Sequence, residues 1–210
     1  NALLKTLEEP QGNSYLILLA RTHHQLMPTL YSRVQHTHIH APNDEQLLNW
    51  LAQQQLIVTD KGILRQFQNC PLILFNYLHA LQTGDAEDER RNCVEGLFAL
   101  LNQAEMLFDF SQFLAGDVDA RLQLLFFMLH DLHKIKLTSE PLNDDAIYAF
   151  ALPQLKIWAE QITLKDLRFL NDELLKTRAL LVEHTGLKKE LLISALLITI
   201  KNRFKESITC

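Results

Sequence analysis

The spacing of apolar side chains changes character after Pro42. Before it, short apolar runs are bounded by turn signals; after it, apolar positions recur at helical intervals to the end of the chain. Ala2, Leu3 and Leu7 share one face of an opening helix over 1–9, with Lys5, Glu8 and Glu9 elsewhere, and Pro10 followed by Gly12-Asn13-Ser14 predicts its stop and a turn. Tyr15–Leu19 is a continuous apolar run, the pattern of a strand buried on both faces. A short helical segment is expected around Gln25–Met27. Pro28-Thr29 then opens a turn carrying Tyr31, Ser32 and Arg33, and Val34–Ile39 alternates as a second strand. Two strands cannot stand alone as an open sheet. Because Asn1 is not a methionine and opens a helix already in progress, the sequence is expected to be a piece of a longer chain.

Beyond Pro42 the reading is helical throughout. Asn43 with Gln46 three residues on has the form of a capping box, and Leu47, Leu48, Trp50 and Leu51 supply the apolar face behind it. Two further short helices are expected at roughly 60–68 and 71–82. The charged run Gly84 to Arg91 marks a domain boundary, or in part the solvated first turn of the next helix. From Asn92 onward long helices follow, one capped by Asp117 and containing Leu122–Leu129, one opened by Thr163 and Asp166 and continuing to about Glu183, and a last one from Leu187 to about Phe204 after the break at Thr185-Gly186. The fold class read from this pattern is mainly α. Its expected parts are a strand-helix portion over 1–41, a three-helix unit over 42–90 and a helical bundle over 91–210.

Bulk chemistry narrows the function classes. Of 210 residues 48% are hydrophobic and 21% charged, which suits packed cores rather than disorder. A formal net charge of -5 argues against a surface that grips nucleic acid everywhere, while leaving room for a local basic patch; Lys188 and Lys189 could face DNA, but helix-end solvation is the preferred reading. Cys70, Cys93 and Cys210 lie far apart with no CxxC spacing, as expected for free thiols in a reducing cytoplasm. The most apolar runs, Leu122–Leu129 and Leu191–Ile200, fall short of the roughly 20 residues a membrane span needs.

Candidate chemistry is sparse. On a strand, His36, His38 and His40 would project to one face, and with His23 and His24 nearby they offer a zinc reading. The preferred reading is polar surface, because no carboxylate stands in a metalloprotease pattern beside them. His130 and His133, one helical turn apart, read as bundle or interface residues. Glu8-Glu9 diverge in direction on a helix and read as solvated or interface positions. Phe98, Leu101, Leu107, Phe126, Phe127 and Met128 read as core or subunit contacts.

Three segments carry a family resemblance. Asn1-Ala2-Leu3-Leu4-Lys5-Thr6-Leu7-Glu8-Glu9-Pro10 is similar to the segment that follows the acidic Walker B strand in sliding-clamp-loader subunits of the AAA+ superfamily. Ser32-Arg33-Val34 stands where that family carries a Ser-Arg-Cys motif, and Thr185-Gly186-Leu187-Lys188-Lys189-Glu190-Leu191-Leu192-Ile193 resembles the last collar helix of its bacterial delta-prime group. The resemblance runs in order along the whole chain, with the middle of the bundle matched by helical character alone. It implies the C-terminal remnant of an α/β AAA+ core over 1–41, a three-helix lid over 42–90 and an oligomerising collar over 91–210.

It also implies a role for each part. The collar would join a five-subunit ring with gamma/tau-type and delta subunits, and the ring would load a sliding clamp onto primer-template DNA for the replicative DNA polymerase, in the bacterial cytoplasm and nucleoid. Arg33 would be a trans-acting arginine finger on the ATP-Mg held by a neighbouring subunit, with Ser32 supporting it or serving as a plain turn hydroxyl. A guanidinium is a fixed, always-charged fork suited to the oxygens of a transferring phosphoryl group. Val34 in place of the motif's cysteine preserves a small apolar filler.

Departures from the motor members of the family point to a subunit without ATPase activity of its own. No GxxxxGK[ST] loop occurs, so no cofactor is expected on these residues. Ala20, followed by Arg21, stands at the family's polar sensor position. Leu72, within Asn69-Cys70-Pro71-Leu72, replaces the lid arginine of a Gly-Ser-x-Arg pattern. The rival readings are an ATP-hydrolysing gamma/tau-type motor whose phosphate loop lies outside these residues, a helical interaction module, and a metal-dependent hydrolase.

Overall fold

The computed structural model describes residues 12, 14–20, 25–138, 146–183 and 188–206. The chain divides into two units, Asn1–His40 and Ala41–Cys210. The architecture is mainly α, and among the described residues no strand forms.

Among the described residues of the first unit the one α-helical element is a single turn, α1 (Pro28–Tyr31), with Pro28 in its first turn and Leu30 buried. The helix expected over 1–9 lies outside the described residues. The strands expected at Tyr15–Leu19 and Val34–Ile39 are absent. A strand exists only through a hydrogen-bonded neighbour, and neither segment has one here. Their apolar side chains are correspondingly open, with Ile17 83% and Ile39 88% exposed.

The second unit contains two apolar cores. The smaller is built by α2 (Asp44–Gln53), α3 (Gly62–Gln66) and α4 (Pro71–Thr83). Leu47 and Leu51 from α2, Ile63 and Leu64 from α3, and Leu74 and Leu78 from α4 meet at its centre with Leu56. Local chemistry sets the ends of these helices. The Asn43 side chain accepts from Gln46 N at 2.8 Å while Gln46 Oε1 accepts from Asn43 N at 3.1 Å, a reciprocal capping box. Gly84, at φ 78°, closes α4 in the left-handed region that glycine enters without a steric penalty. Between α3 and α4, Asn69 also sits at positive φ, and its side chain donates to Pro42 O and to Asp44 Oδ1, tying the turn back to the start of α2.

The larger core is a bundle of α5 (Glu89–Asn102), α6 (Leu107–Gly116), α7 (Val118–Leu137), α8 (Leu152–Glu160), α9 (Leu164–Glu183) and α10 (Lys189–Glu206). The long helix α7 packs against α5, α6, α8 and α9, while α10 covers α6, α9 and α5. Leucine stripes fill the centre, with Leu97, Leu114, Leu122, Leu155, Leu167 and Leu197 all essentially inaccessible to solvent. Each fully buried side chain of this kind contributes roughly 2 kcal/mol relative to exposure. Asp117 caps α7 through Ala120 N, and Thr163 caps α9 through Asp166 N, both where the sequence pattern places them. The break at Thr185-Gly186 lies outside the described residues.

The charged run ending at Arg91 divides differently from its appearance. Asp88 is the N-cap of α5, so Glu89, Arg90 and Arg91 form the first helical turn. Arg91 is exposed, but Arg90 is buried between the two cores. Its Nη1 donates to Ile147 O at 3.1 Å and lies 2.7 Å from Asp60 Oδ2. A second buried charge, Asp131 on α7, accepts from Tyr148 N at 2.8 Å. Burial raises the Asp131 pKa, outweighing the Tyr148 N–H and the nearby Lys134 cation, which both lower it.

Two predictions follow from these helices and their buried charge. Asn43→Ala removes the acceptor for Gln46 N and should cost about 1 kcal/mol of stability in the second unit, read by urea unfolding. Because the native Asp131 pKa lies above its unfolded value of about 3.9, the ionised carboxylate is an increasing burden as pH rises from that value through the native one. The wild-type chain should therefore lose stability relative to Asp131→Asn, which keeps an acceptor for Tyr148 N, as pH is raised from about 4. Melting temperatures of the two chains across that range test this, and a pH-independent difference between them would refute it.

Candidate functional site

Arg33 follows α1 immediately, and the geometry of that turn determines how the guanidinium is held. Pro28, with its φ already suited to a helix and no N–H to satisfy, starts the turn. Backbone bonds from Ser32 N to Pro28 O at 3.1 Å and from Arg33 N to Leu30 O at 3.1 Å then wind the chain on through both residues. Leu30 is buried, whereas Ser32 and Arg33 are exposed. Both of their side chains turn back to one carbonyl. Arg33 Nη1 donates to Thr29 O at 2.7 Å, and Ser32 Oγ donates to it at 3.4 Å.

This arrangement fixes one edge of the Arg33 fork to backbone while its charge stays at the surface. A long side chain anchored in this way loses less rotamer entropy when it meets an anion than an unanchored one. Val34 is half-buried, as a small apolar residue in that place would be. The structure thus brings Ser32 and Arg33 together on Thr29.

The histidine cluster does not gather in the same way. His36 stacks on Tyr31 with ring centroids 3.9 Å apart, while His38 and His40 stack on each other at 6.2 Å. No strand aligns them, and His36 pairs with Tyr31 rather than with the other two imidazoles. Among the described residues no three His, Cys, Asp or Glu side chains converge as ligands. His23 and His24, like Glu8, Glu9, Arg21 and Cys210, lie outside the described residues.

Other sequence candidates fall as follows. Leu72 is largely exposed on the first turn of α4, an apolar side chain with no donor to offer an anion. Lys188 and Lys189 are exposed at the start of α10. His133 contacts Leu129 O at 2.9 Å one turn back on α7, and His130 is exposed beside it. Partial desolvation, with Lys134 and His133 close by, lowers the His130 pKa. Phe98 is half-exposed, Leu101, Leu107, Phe126 and Phe127 pack on the margin of the bundle core, and Met128 is inside it. Cys93 is buried and its thiol is pushed up to about 12, mainly by desolvation, which leaves it unreactive. No helix among the described residues is long and apolar enough to cross a membrane.

Sequence comparison covers both ends of this description. Residues 1–43 match a family described as DNA polymerase III, delta subunit. Residues 85–202, which are the bundle, match DNA polymerase III, delta subunit, C terminal. Among curated proteins, the DNA polymerase III subunit delta' of Haemophilus influenzae is 37% identical over 94 residues, covering 44% of this chain and 28% of that protein. The subunit delta' of Yersinia pestis is 28% identical over 206 residues, covering 95% of this chain and 58% of that protein. The chain thus spans less than two thirds of the length of these relatives. Because the bundle match alone takes in more than half of the chain, the chain belongs to the DNA polymerase III delta-subunit family, with delta' subunits among its relatives.

Proposed function

We propose that this chain is part of a non-hydrolysing subunit of a sliding-clamp loader, which joins a ring of related subunits through the bundle over 91–210 and presents Arg33 to ATP-Mg bound by its neighbour. The family match over residues 85–202 carries this reading, because it falls on the bundle, the part the proposal assigns to assembly. The partners proposed are gamma/tau-type and delta subunits within the ring, and the sliding clamp and primer-template DNA for the assembled loader. The place of work proposed is the bacterial cytoplasm, at the replisome on the nucleoid.

The chemistry assigned to Arg33 is electrostatic. Phosphoryl transfer leaves the protein little covalent work, and the rate depends on charge placed at the equatorial oxygens of the transferring group. An exposed guanidinium whose one edge is held by Thr29 O suits that task across a subunit junction. Ser32, bonded to the same carbonyl, has the supporting role of keeping the turn closed.

A loader reconstituted with the full-length subunit tests the assignment through clamp- and DNA-stimulated ATP hydrolysis. Arg33→Ala should leave the subunits co-eluting and lower turnover by well over tenfold, which is more than about 1.4 kcal/mol of barrier. Arg33→Lys, which keeps the charge but loses the fork, should recover only part of the loss. An assembled ring with unchanged turnover would reduce the subunit to a scaffold.

A further inference from the structure

The smaller core of the second unit is slight for its task. Its three helices bury six apolar side chains, and Leu56 between α2 and α3 adds a seventh. Units of about 40 residues rarely hold together on burial of that extent without a disulfide, a metal or an adjoining surface. Among the described residues no disulfide is available, since Cys70 and Cys93 are free thiols. What adjoins this core is the bundle, and the two apolar clusters do not merge.

Arg90 is the centre of that contact. It is 2% exposed, belongs to the first turn of α5, and reaches both cores at once. Toward the three-helix unit its Nη1 lies 2.7 Å from Asp60 Oδ2, in the loop before α3. Toward the bundle the same nitrogen donates to Ile147 O at 3.1 Å, and the guanidinium stands 5.3 Å from the centre of the Phe150 ring. Asp88 fixes its other edge through contacts to Nε and Nη2, each 3.3 Å. Asp60 is itself held in place, because its Oδ1 accepts from Gly62 N at 2.9 Å.

Gly62 closes the same joint from the other side. It is buried at the start of α3, directly against the 146–147 backbone. A Cβ there would fall 2.9 Å from Ala146 O and 2.8 Å from Ile147 C, both rigid backbone atoms. The glycine is therefore required for close approach, its φ being unremarkable. Two independent features, a buried arginine and a glycine with no room for a methyl group, serve one joint.

We infer that the Arg90 joint makes the three-helix unit and the bundle a single cooperative folding unit, and that the three-helix unit holds its structure only while this joint is closed. A plain surface contact between two self-sufficient domains would not need a desolvated guanidinium, whose burial is costly unless it is fully paired. Cutting the joint should leave the larger core folded and release the smaller.

The chain carries its own reporters, since its two tryptophans lie one in each core. Urea unfolding is followed at Trp50 in a Trp158→Phe background and at Trp158 in a Trp50→Phe background, with and without Arg90→Met, in the 210-residue chain. Without the Arg90 substitution the two curves should coincide. With it, the Trp50 midpoint should fall below the Trp158 midpoint by about 1 M urea or more. Gly62→Ala should separate the curves in the same order. Coincident curves in both variants, or separate curves before either substitution, would overturn the inference. Should a tryptophan background not fold, hydrogen exchange on Arg90→Met with both tryptophans present decides the question. Accelerated exchange in Asp44–Gln53 and Pro71–Thr83 with α7 unchanged supports it, and uniform acceleration refutes it.

Discussion

Buried backbone outside a helix has to find partners for its N–H and C=O groups, because water cannot supply them. The stretch Ala146–Tyr148, ahead of a 3-10 turn over Ala149–Ala151, imposes that condition on the second unit. Ala146, Ile147, Tyr148 and Ala151 are all buried. The segment leads into α8, packs into the larger core and has Gly62 of the three-helix unit against its backbone. Two side chains meet its backbone needs, and its own Tyr148 hydroxyl reaches back to α7. Arg90 donates to Ile147 O, the Asp131 carboxylate accepts from Tyr148 N, and the Tyr148 hydroxyl donates to Leu124 O at 2.9 Å. The two charges buried beside the segment are thus there for a reason: each completes a hydrogen bond that would otherwise be missing. Removing one partner of such a pair typically costs more than the pair contributes net.

That condition explains which parts of the fold were legible in the sequence. Caps at Asn43, Asp117 and Thr163 were readable because their chemistry is complete within four residues of chain. The leucine stripes were readable for the same reason, since helical phase is a local property. Strands are not local. Tyr15–Leu19 has the composition of a buried strand, but composition cannot supply the neighbouring strand, and the run remains open to solvent. Arg90 was hidden by its setting within a charged run, and its partners stand at Asp60 and Ile147, remote in sequence. Its helical phase does mark it. Arg90, Cys93, Leu97 and Leu100 form one stripe of α5, as Leu124, Met128 and Asp131 do on α7, and every member of both stripes is buried. A charge standing in phase with an apolar stripe is the sequence signal of a buried pair.

The candidate site was legible in another way. Nothing in the periodicity marks Ser32 or Arg33, and a surface arginine after a proline turn is ordinary. Resemblance singled them out, and the geometry adds the shared anchor at Thr29 O. The histidines show the converse. Their alternation on a strand was a regular pattern, but the pattern depended on a strand that does not form, and His36 instead pairs with Tyr31.

Family likeness and physical architecture divide the chain at nearly the same places. Matches extend over 1–43 and 85–202, and what lies between them is the three-helix unit. Its helix ends are secured locally by the Asn43–Gln46 box, by Asn69 on Asp44 and by Gly84. Its placement on the bundle depends on the opposite kind of chemistry, few contacts with exacting geometry. A small unit built in this way tolerates change in its sequence wherever capping and apolar phase are kept, since apolar cores accept substitutions that conserve volume and pattern. It tolerates little at Asp60, Gly62 and Arg90, where one charge, one absent side chain and one guanidinium have to coincide. Geometry in this region is therefore most exacting at the joint, where Asp60, Gly62 and Arg90 meet.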